Sequence, residues 1–330
     1  MARRSLPPPG FPTMSPMTVL DWLLDADPSI RWQVQRDLLD APEAVVEATR
    51  ARVATDGWGA QLLAAQRDDG TWGGVAWNHG FDSTMHVLML LRDLGLDPVS
   101  EPAQRAVARV RDQVTWRGSG PEESEQNRFF EGEVEPCINA QVAMVGAYFR
   151  QDVAPLINRL LGEQLADGGW NCDAERGSTR SSFHTTICVL EALLEFEQSV
   201  GARGDVTAAR RRGTEYLLAR CLMRRRSTGE LVVDRKRNGT DWRRLAFPTW
   251  WHYDILRGLD YLRAAGIAPD ERMEEALDCV SAQRGADGRW TLGLRHAGTM
   301  LVTLDDGEGA PSRWVTLRAM RVLRAFAVGR

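Results

Sequence analysis

Four side chains of this sequence have the chemistry to hold a zinc ion: Cys137, Cys172, His184 and His252. A cysteine that loses its proton is a soft anionic ligand, and a neutral imidazole presents a ring nitrogen. Three such ligands with a water in the fourth position make a catalytic zinc centre, where the water is acidified toward neutrality. Asp254 and Glu135 stand beside these candidates, with the chemistry of a general base or of a group that orients a ligand. Cys172 and Asp173 are adjacent, so one of the two is expected to face inward. His184 and Cys188, four residues apart on one helical face, form an alternative ligand pair. No local Cys-x-x-Cys signature is present, so the metal reading depends on distant positions converging. The competing reading of any cytosolic cysteine is a small buried hydrophobe, and Cys188, Cys221 and Cys279 fall at apolar helical positions that favour it.

A second polar group comprises His79, Asp82 and His86. Asp82 reads as a helix N-cap. His86, one turn further on, is placed as a catalytic residue lining a cavity. Aromatic residues gather just before or at the same helix starts. Trp77, Phe183, Trp251, Tyr253 and Trp314 are expected to shape an apolar substrate pocket, together with Phe129, Phe130 and Trp250. Arg313 is positioned to meet a carboxylate or phosphate at the rim, as is His296 beside Arg295. For each aromatic ring taken singly, packing between helices is an equally good account.

The elements that must position these residues follow from a repeat. The phrase Gln-x-x-Asp-Gly-x-Trp occurs at Gln66–Trp72 and Gln164–Trp170, and a third copy, Gln283–Trp290, carries one extra residue. Each copy reads as a helix end, a turn in which glycine supplies a positive φ, and a tryptophan that packs back on the hairpin. Trp72, Trp170 and Trp290 are therefore assigned to structure. Apolar residues recur at helical spacing over 29–39, 84–94, 138–149, 185–196, 253–262 and 315–326. A partner helix precedes each, over 18–24, 43–65, 103–114, 153–164, 207–221 and 271–283. Six hairpins of this kind predict an all-α fold, an (α/α)6 barrel with six parallel inner helices and six outer ones, spanning residues 17–330 as one domain. Residues 1–16 are expected to be a disordered or loosely packed tail. Pro155, Ser182, Pro248 and Ser312 fall where helices should begin, and Gly95, Gly201 and Gly266 where they should stop. Parallel inner helices bring six N-termini to one mouth, where their dipoles favour an anion or an ionised thiol. The acidic segment 116–136, with the Phe129-Phe130 pair, is expected to fold over that mouth as a lid.

The repeated turns followed by inner helices resemble those of the prenyltransferase and squalene-oxidase repeat proteins, which include the triterpene cyclases and the β subunits of protein prenyltransferases. The phrases Gly-Gly-Trp170-Asn-Cys172, Ser-Ser-Phe-His184-Thr-Thr and Trp251-His252-Tyr-Asp254 look like those of short bacterial members of this group. The resemblance implies a toroid with a central cavity and a place in biosynthesis, in specialised metabolism. The functional motifs of the named enzymes are not matched. The Asp-x-Asp-Asp acid of alkene-protonating cyclases is absent, with Asp305-Asp306 nearest to it. The Asp-x-Cys zinc motif of the protein prenyltransferases is absent too, with His252 its nearest echo.

The chain of 330 residues is 43% hydrophobic, enough for a large core, and carries a net charge of −4. Its arginine runs at 210–212 and 224–226 lie on or after an outer helix and read as solvated faces, so a nucleic-acid partner is not expected. No leader and no apolar run long enough for a membrane span is seen. A cytoplasmic location with reduced cysteines is expected. Three functions follow from these features. The first is a zinc-dependent enzyme acting on a small-molecule substrate by hydrolysis, elimination or transfer. The second is a metal-free terpene cyclase or prenyl-transferring enzyme, and the third is a non-catalytic binding toroid.

Overall fold

The structure, a computed structural model, describes residues 17–116, 127–234 and 240–327. The N-terminal tail and the centre of the acidic segment lie outside these residues. Six inner helices run α2 (Pro28–Asp37), α5 (Thr84–Leu94), α7 (Pro136–Tyr148), α9 (Phe183–Val200), α11 (Ile255–Ala264) and α13 (Arg313–Phe326). Outside them lie α1 (Val19–Leu24), α3 (Glu43–Ala51) with α4 (Gly57–Ala64), α6 (Glu101–Gln113), α8 (Ala154–Gly162), α10 (Gly204–Leu218) and α12 (Glu274–Ala282). The strand content among the described residues is a single short hairpin, Val233–Asp234 against Thr240–Asp241.

The inner helices close a ring. Helix α5 packs on α7, α7 on α9, α9 on α11, α11 on α13, and α13 returns to α2. Trp32 Nε1 and Gln33 Nε2 of α2 complete the circuit by donating to the carbonyls of Leu94 and Asp93 at the end of α5, at 2.9 and 3.0 Å. This is the all-α (α/α)6 barrel expected from the repeat. Composition separates the two layers. Helix α7 is buried on nearly every side, and its alanines and Gly146 let neighbours approach closely; a Cβ on Gly146 would sit 2.4 Å from Val153. Outer helix α6 is amphipathic and buries only Ala103, Ala106, Val107 and Val110.

The repeated phrase works as a latch. Each tryptophan is buried, and its indole donates to a carbonyl one turn back on the outer helix: Trp72 to Leu62, Trp170 to Leu160 and Trp290 to Val280, at 2.6–2.7 Å. The three tryptophan N–H groups donate to the hydroxyls of Thr84, Thr186 and Thr316 on the next inner helix. Gly70, Gly168 and Gly288 take the positive φ that the turn requires. Gln66 and Gln164 each donate to the glycine carbonyl of their own turn and to a carbonyl of the next outer helix, Ala106 and Ala209. The inserted residue of the third copy breaks this last link: Gln283 donates to Cys279 within its own helix.

Three expectations are corrected. The outer helix expected over 43–65 is broken at 52–56, because Asp27 caps α2 through Ser29 N–H (2.9 Å) and also takes the Trp58 N–H that begins α4 (2.8 Å). Gly57 makes that approach possible, with a φ of +64° and no room for a Cβ beside Asp27. Asp82 is not the cap of α5. Its carboxylate accepts from Asn78 Nδ2, and Ser83 holds the N-cap position. Phe129 and Phe130 are core residues: Trp116 stacks on Phe129, and Trp116 N–H closes onto the Asn127 carbonyl, so this base of the acidic segment packs on the barrel. The expected lid falls mostly on 117–126, outside the described residues.

Candidate metal centre and barrel mouth

Contacts between helix starts place all six inner N-termini at one end. Asp27 reaches Trp58, Trp58 packs by Trp314, and Trp314 stacks on Phe247 ahead of α11. Phe81 and His86 at the start of α5 pack on Trp250. Tyr253 N–H donates to His184 Nδ1 at the start of α9, and Cys172 beside α9 meets Cys137 in the first turn of α7.

That last meeting is the most reactive arrangement at the mouth. The two Sγ atoms lie 2.8 Å apart, and Cys137 Sγ is 3.6 Å from Glu135 Oε2. Glu135, Cys137 and Cys172 present ligand atoms all within 4.8 Å of one another, and the set contains no histidine. Pro136 opens α7 and fixes the approach of Glu135 and Cys137, while Asn171 caps the short turn that carries Cys172. The hydrogen bond between the two sulfurs, aided by Thr185 Oγ1 at 3.4 Å, holds Cys172 below the usual thiol value. The same hydrogen bond, with burial, pushes Cys137 up. Asp173 is exposed and pairs with Arg176, so of the adjacent pair it is Cys172 that faces inward.

His184 and His252 form a separate group. Their rings lie 5.8 Å apart, and His252 packs at 4.0 Å on His296. Nδ1 of His184 accepts from Tyr253 N–H at 2.8 Å, which in the neutral ring leaves the proton on Nε2. Cys188 is core. Burial raises its thiol to about 11, and Gln141 and Arg257 contact its sulfur.

His86 is fully buried in an aromatic box of Trp77, Phe81, Trp250 and Trp251. Its Nδ1 meets Ser83 Oγ at 2.8 Å, and Nε2 has no partner among the described residues. Burial, with the charge of His79, brings its pKa down to about 3, so the ring is neutral across the physiological range. Of the other expected pocket residues, Phe183 and Tyr253 are buried against each other and Trp242, and the Tyr253 hydroxyl donates to the Leu222 carbonyl at 2.7 Å. Trp251 is partly exposed over His79 and His252. Arg313 lies over the Trp22 ring and donates to the Trp22 carbonyl.

Asp254 is the N-cap of α11. Its oxygens accept from Arg257 N–H at 2.7 Å and Ala246 N–H at 3.0 Å, which ties both to backbone. Burial raises its pKa against those bonds. Asp305 differs. It borders a small pocket shared with Phe81, Phe247 and Trp250, its Oδ2 is buried without a partner among the described residues, and burial, against hydrogen bonds from Ser312 and the Arg313 backbone, pushes its pKa up to about 6.

The segment 247–252 crosses the barrel and plugs the mouth. Trp250, with a left-handed backbone at φ +51°, stacks on Phe81, and Arg257 Nη1 holds the carbonyls of Trp250 and His252, both at 2.7 Å. Below this plug lies a cavity of about 470 Å³, running toward the C-terminal ends of the inner helices. Sequence reasoning missed it, yet the signal was present. Inner helices that are otherwise apolar carry charged residues one turn apart: Glu191 and Glu195, Arg257 and Asp260, Arg318 and Arg321. Burial raises the Asp260 carboxyl, and Arg321, Arg263 and Arg318 outweigh it, so Asp260 is held well below the usual carboxylate range.

No protein-family profile matches the chain, and no curated protein matches it. Among solved structures it is similar to an apo variant of the type II terpene cyclase MstE from Scytonema, at 18% identity and a TM-score of 0.42, over 92% of this chain and 87% of that one. No helix among the described residues is long and apolar enough to cross a membrane.

Proposed function

We propose that this toroid is an enzyme with a zinc centre at the barrel mouth, built on Cys137, Cys172 and Glu135, and that its substrate is a small molecule. The observation that carries the reading is the convergence of three ligand atoms, within 4.8 Å, from two hairpins. Two thiols and a carboxylate suit zinc, and two sulfurs 2.8 Å apart cannot both ionise unless a cation joins them. Three protein ligands leave a position for substrate, and a zinc ion bound there supplies Lewis-acid chemistry. The protein's own part is to hold the sulfurs at adjoining helix starts, where N–H dipoles favour thiolate. His184 and His252 belong to this reading as neighbouring proton donors rather than as ligands.

Elemental mass spectrometry of the purified protein, beside Cys137→Ser and Cys172→Ser, tests it. About one zinc per chain, lost in both variants, is expected. Equal metal content in all three proteins, or none in wild type purified without chelator, would overturn the reading.

A second reading is favoured by Asp305. A carboxyl whose proton is held up to about pH 6 has the chemistry to protonate an alkene, and the Phe81, Phe247 and Trp250 rings beside it can stabilise the cation that results. This is metal-free cyclisation of an isoprenoid. It predicts turnover of a polyene or prenyl diphosphate that Asp305→Asn abolishes and Cys137→Ser leaves intact.

A further inference from the structure

The chamber below the plug is unlike either candidate at the mouth. Seven arginines line it against five carboxylates, in a chain whose net charge is −4. Part of that arginine is explained without a ligand. Arg92 and Arg263 lie in the last turns of their helices, where cations are favoured. Arg92 pairs with Glu195 and Asp93, Arg257 with Glu191, and Arg321 with Asp260 and Asp37.

Arg318 is not explained in this way. It lies mid-helix on α13 and is 7% exposed, and its one protein hydrogen bond runs from Nε to Asp260 Oδ2 at 3.1 Å. Its two Nη groups donate to no protein group among the described residues. The surface left to this side chain faces the chamber. These four N–H donors open onto the chamber and are available to an acceptor that enters it. Asp93 stands within the influence of Arg318 and is bound through Oδ1 alone, to Arg92 Nη1 at 2.9 Å.

We propose that the chamber is a binding site for a small polar anion, whose carboxylate or phosphoryl oxygens accept from the Nη groups of Arg318. A planar guanidinium presents paired donors that match either oxyanion. The volume, about 470 Å³, falls within the range of metabolite pockets. The site stands on a different end of the barrel from the proposed zinc centre and does not depend on it.

Isothermal titration of the full-length, zinc-analysed protein with inorganic phosphate and, separately, with succinate tests the proposal. At least one probe is expected to bind saturably to wild type. Arg318→Gln is expected to weaken that binding about tenfold or more, while Arg105→Gln, an exposed outer-helix control, leaves it unchanged. Asp93→Asn removes a negative charge beside the anion and is expected to tighten binding severalfold. That variant decides the matter if Arg318→Gln does not fold. No saturable binding of either probe, binding that survives Arg318→Gln unchanged, or binding unaltered or weakened by Asp93→Asn would each overturn it. Metal content measured on the same samples keeps this outcome separate from the fate of the zinc centre.

Discussion

Cys137 and Cys172, thirty-five positions apart in the chain, face each other across 2.8 Å at the starts of neighbouring hairpins. The hydrogen bond between the sulfurs makes them unequal, with Cys172 lowered and Cys137, the more buried, raised. Iodoacetamide at about pH 8 is therefore expected to label Cys172 before Cys137, since the thiolate is the nucleophile. Peptide mass mapping over time reads the order. Equal rates, or Cys137 first, would contradict this inequality, and added zinc is expected to protect both.

The latch glutamines differ by one insertion, and their substitution should differ accordingly. Gln66→Ala removes two hydrogen bonds and Gln164→Ala three, the third accepted from Arg212, and in each case one amide bond crosses to the next outer helix. Each is expected to lower stability by about 1–3 kcal/mol. Gln283 is exposed and bonds only within its own helix, so Gln283→Ala should stay within about 0.5 kcal/mol of wild type. Urea denaturation of the three proteins checks the contrast.

His86 sets a dependence on pH. Its pKa falls from 6.5 to about 3 on folding, so below 6.5 the unfolded chain binds a proton that the folded one refuses. The contribution is present above 6.5 and is lost as pH falls toward 3. Between pH 7 and pH 5 the loss amounts to about 2 kcal/mol. His86→Phe should lose less stability than wild type over the same interval. Parallel curves for the two proteins would show that His86 is protonated in the fold.

Arg257 holds the plug. It is nearly inaccessible, and its guanidinium joins Glu191 to the carbonyls of Trp250 and His252. Arg257→Met leaves those carbonyls and Glu191 without their donor, at a cost of about 3–5 kcal/mol. Glu191→Gln in the Arg257→Met background should recover part of that loss, because the stranded charge is gone. A double-mutant cycle measured in urea reads the coupling.

The repeat made most of the fold legible. Periodicity located all six inner helices to within a few residues, and Ser312 and Ser182 cap α13 and α9 through Val315 and Thr185 N–H as local chemistry requires. What escaped was set by distant partners. The break at Gly57 is imposed by an aspartate thirty residues away in the chain, and Ser83 rather than Asp82 enters α5 because Asn78 holds the aspartate. At the site, cysteine chemistry and hairpin order drew Cys137 and Cys172 into one group with the histidines. Tyr253 N–H, which directs the His184 ring, has no signature in sequence. The charged chamber went unseen because arginine is abundant throughout this chain, and an inward arginine looks like any other until the ring closes.

The missing glutamine bridge of the third latch falls at the seam where the last hairpin meets the first. There Arg321 joins Gln33 and Asp37, and Arg324 joins Asp40 and the Asp37 carbonyl. Two joints of the circle are thus fastened by neutral amides, and the third by charge. Dissolved salt barely touches the first kind and weakens the second. Among these three latched joints, ionic strength therefore acts on the seam and spares the other two.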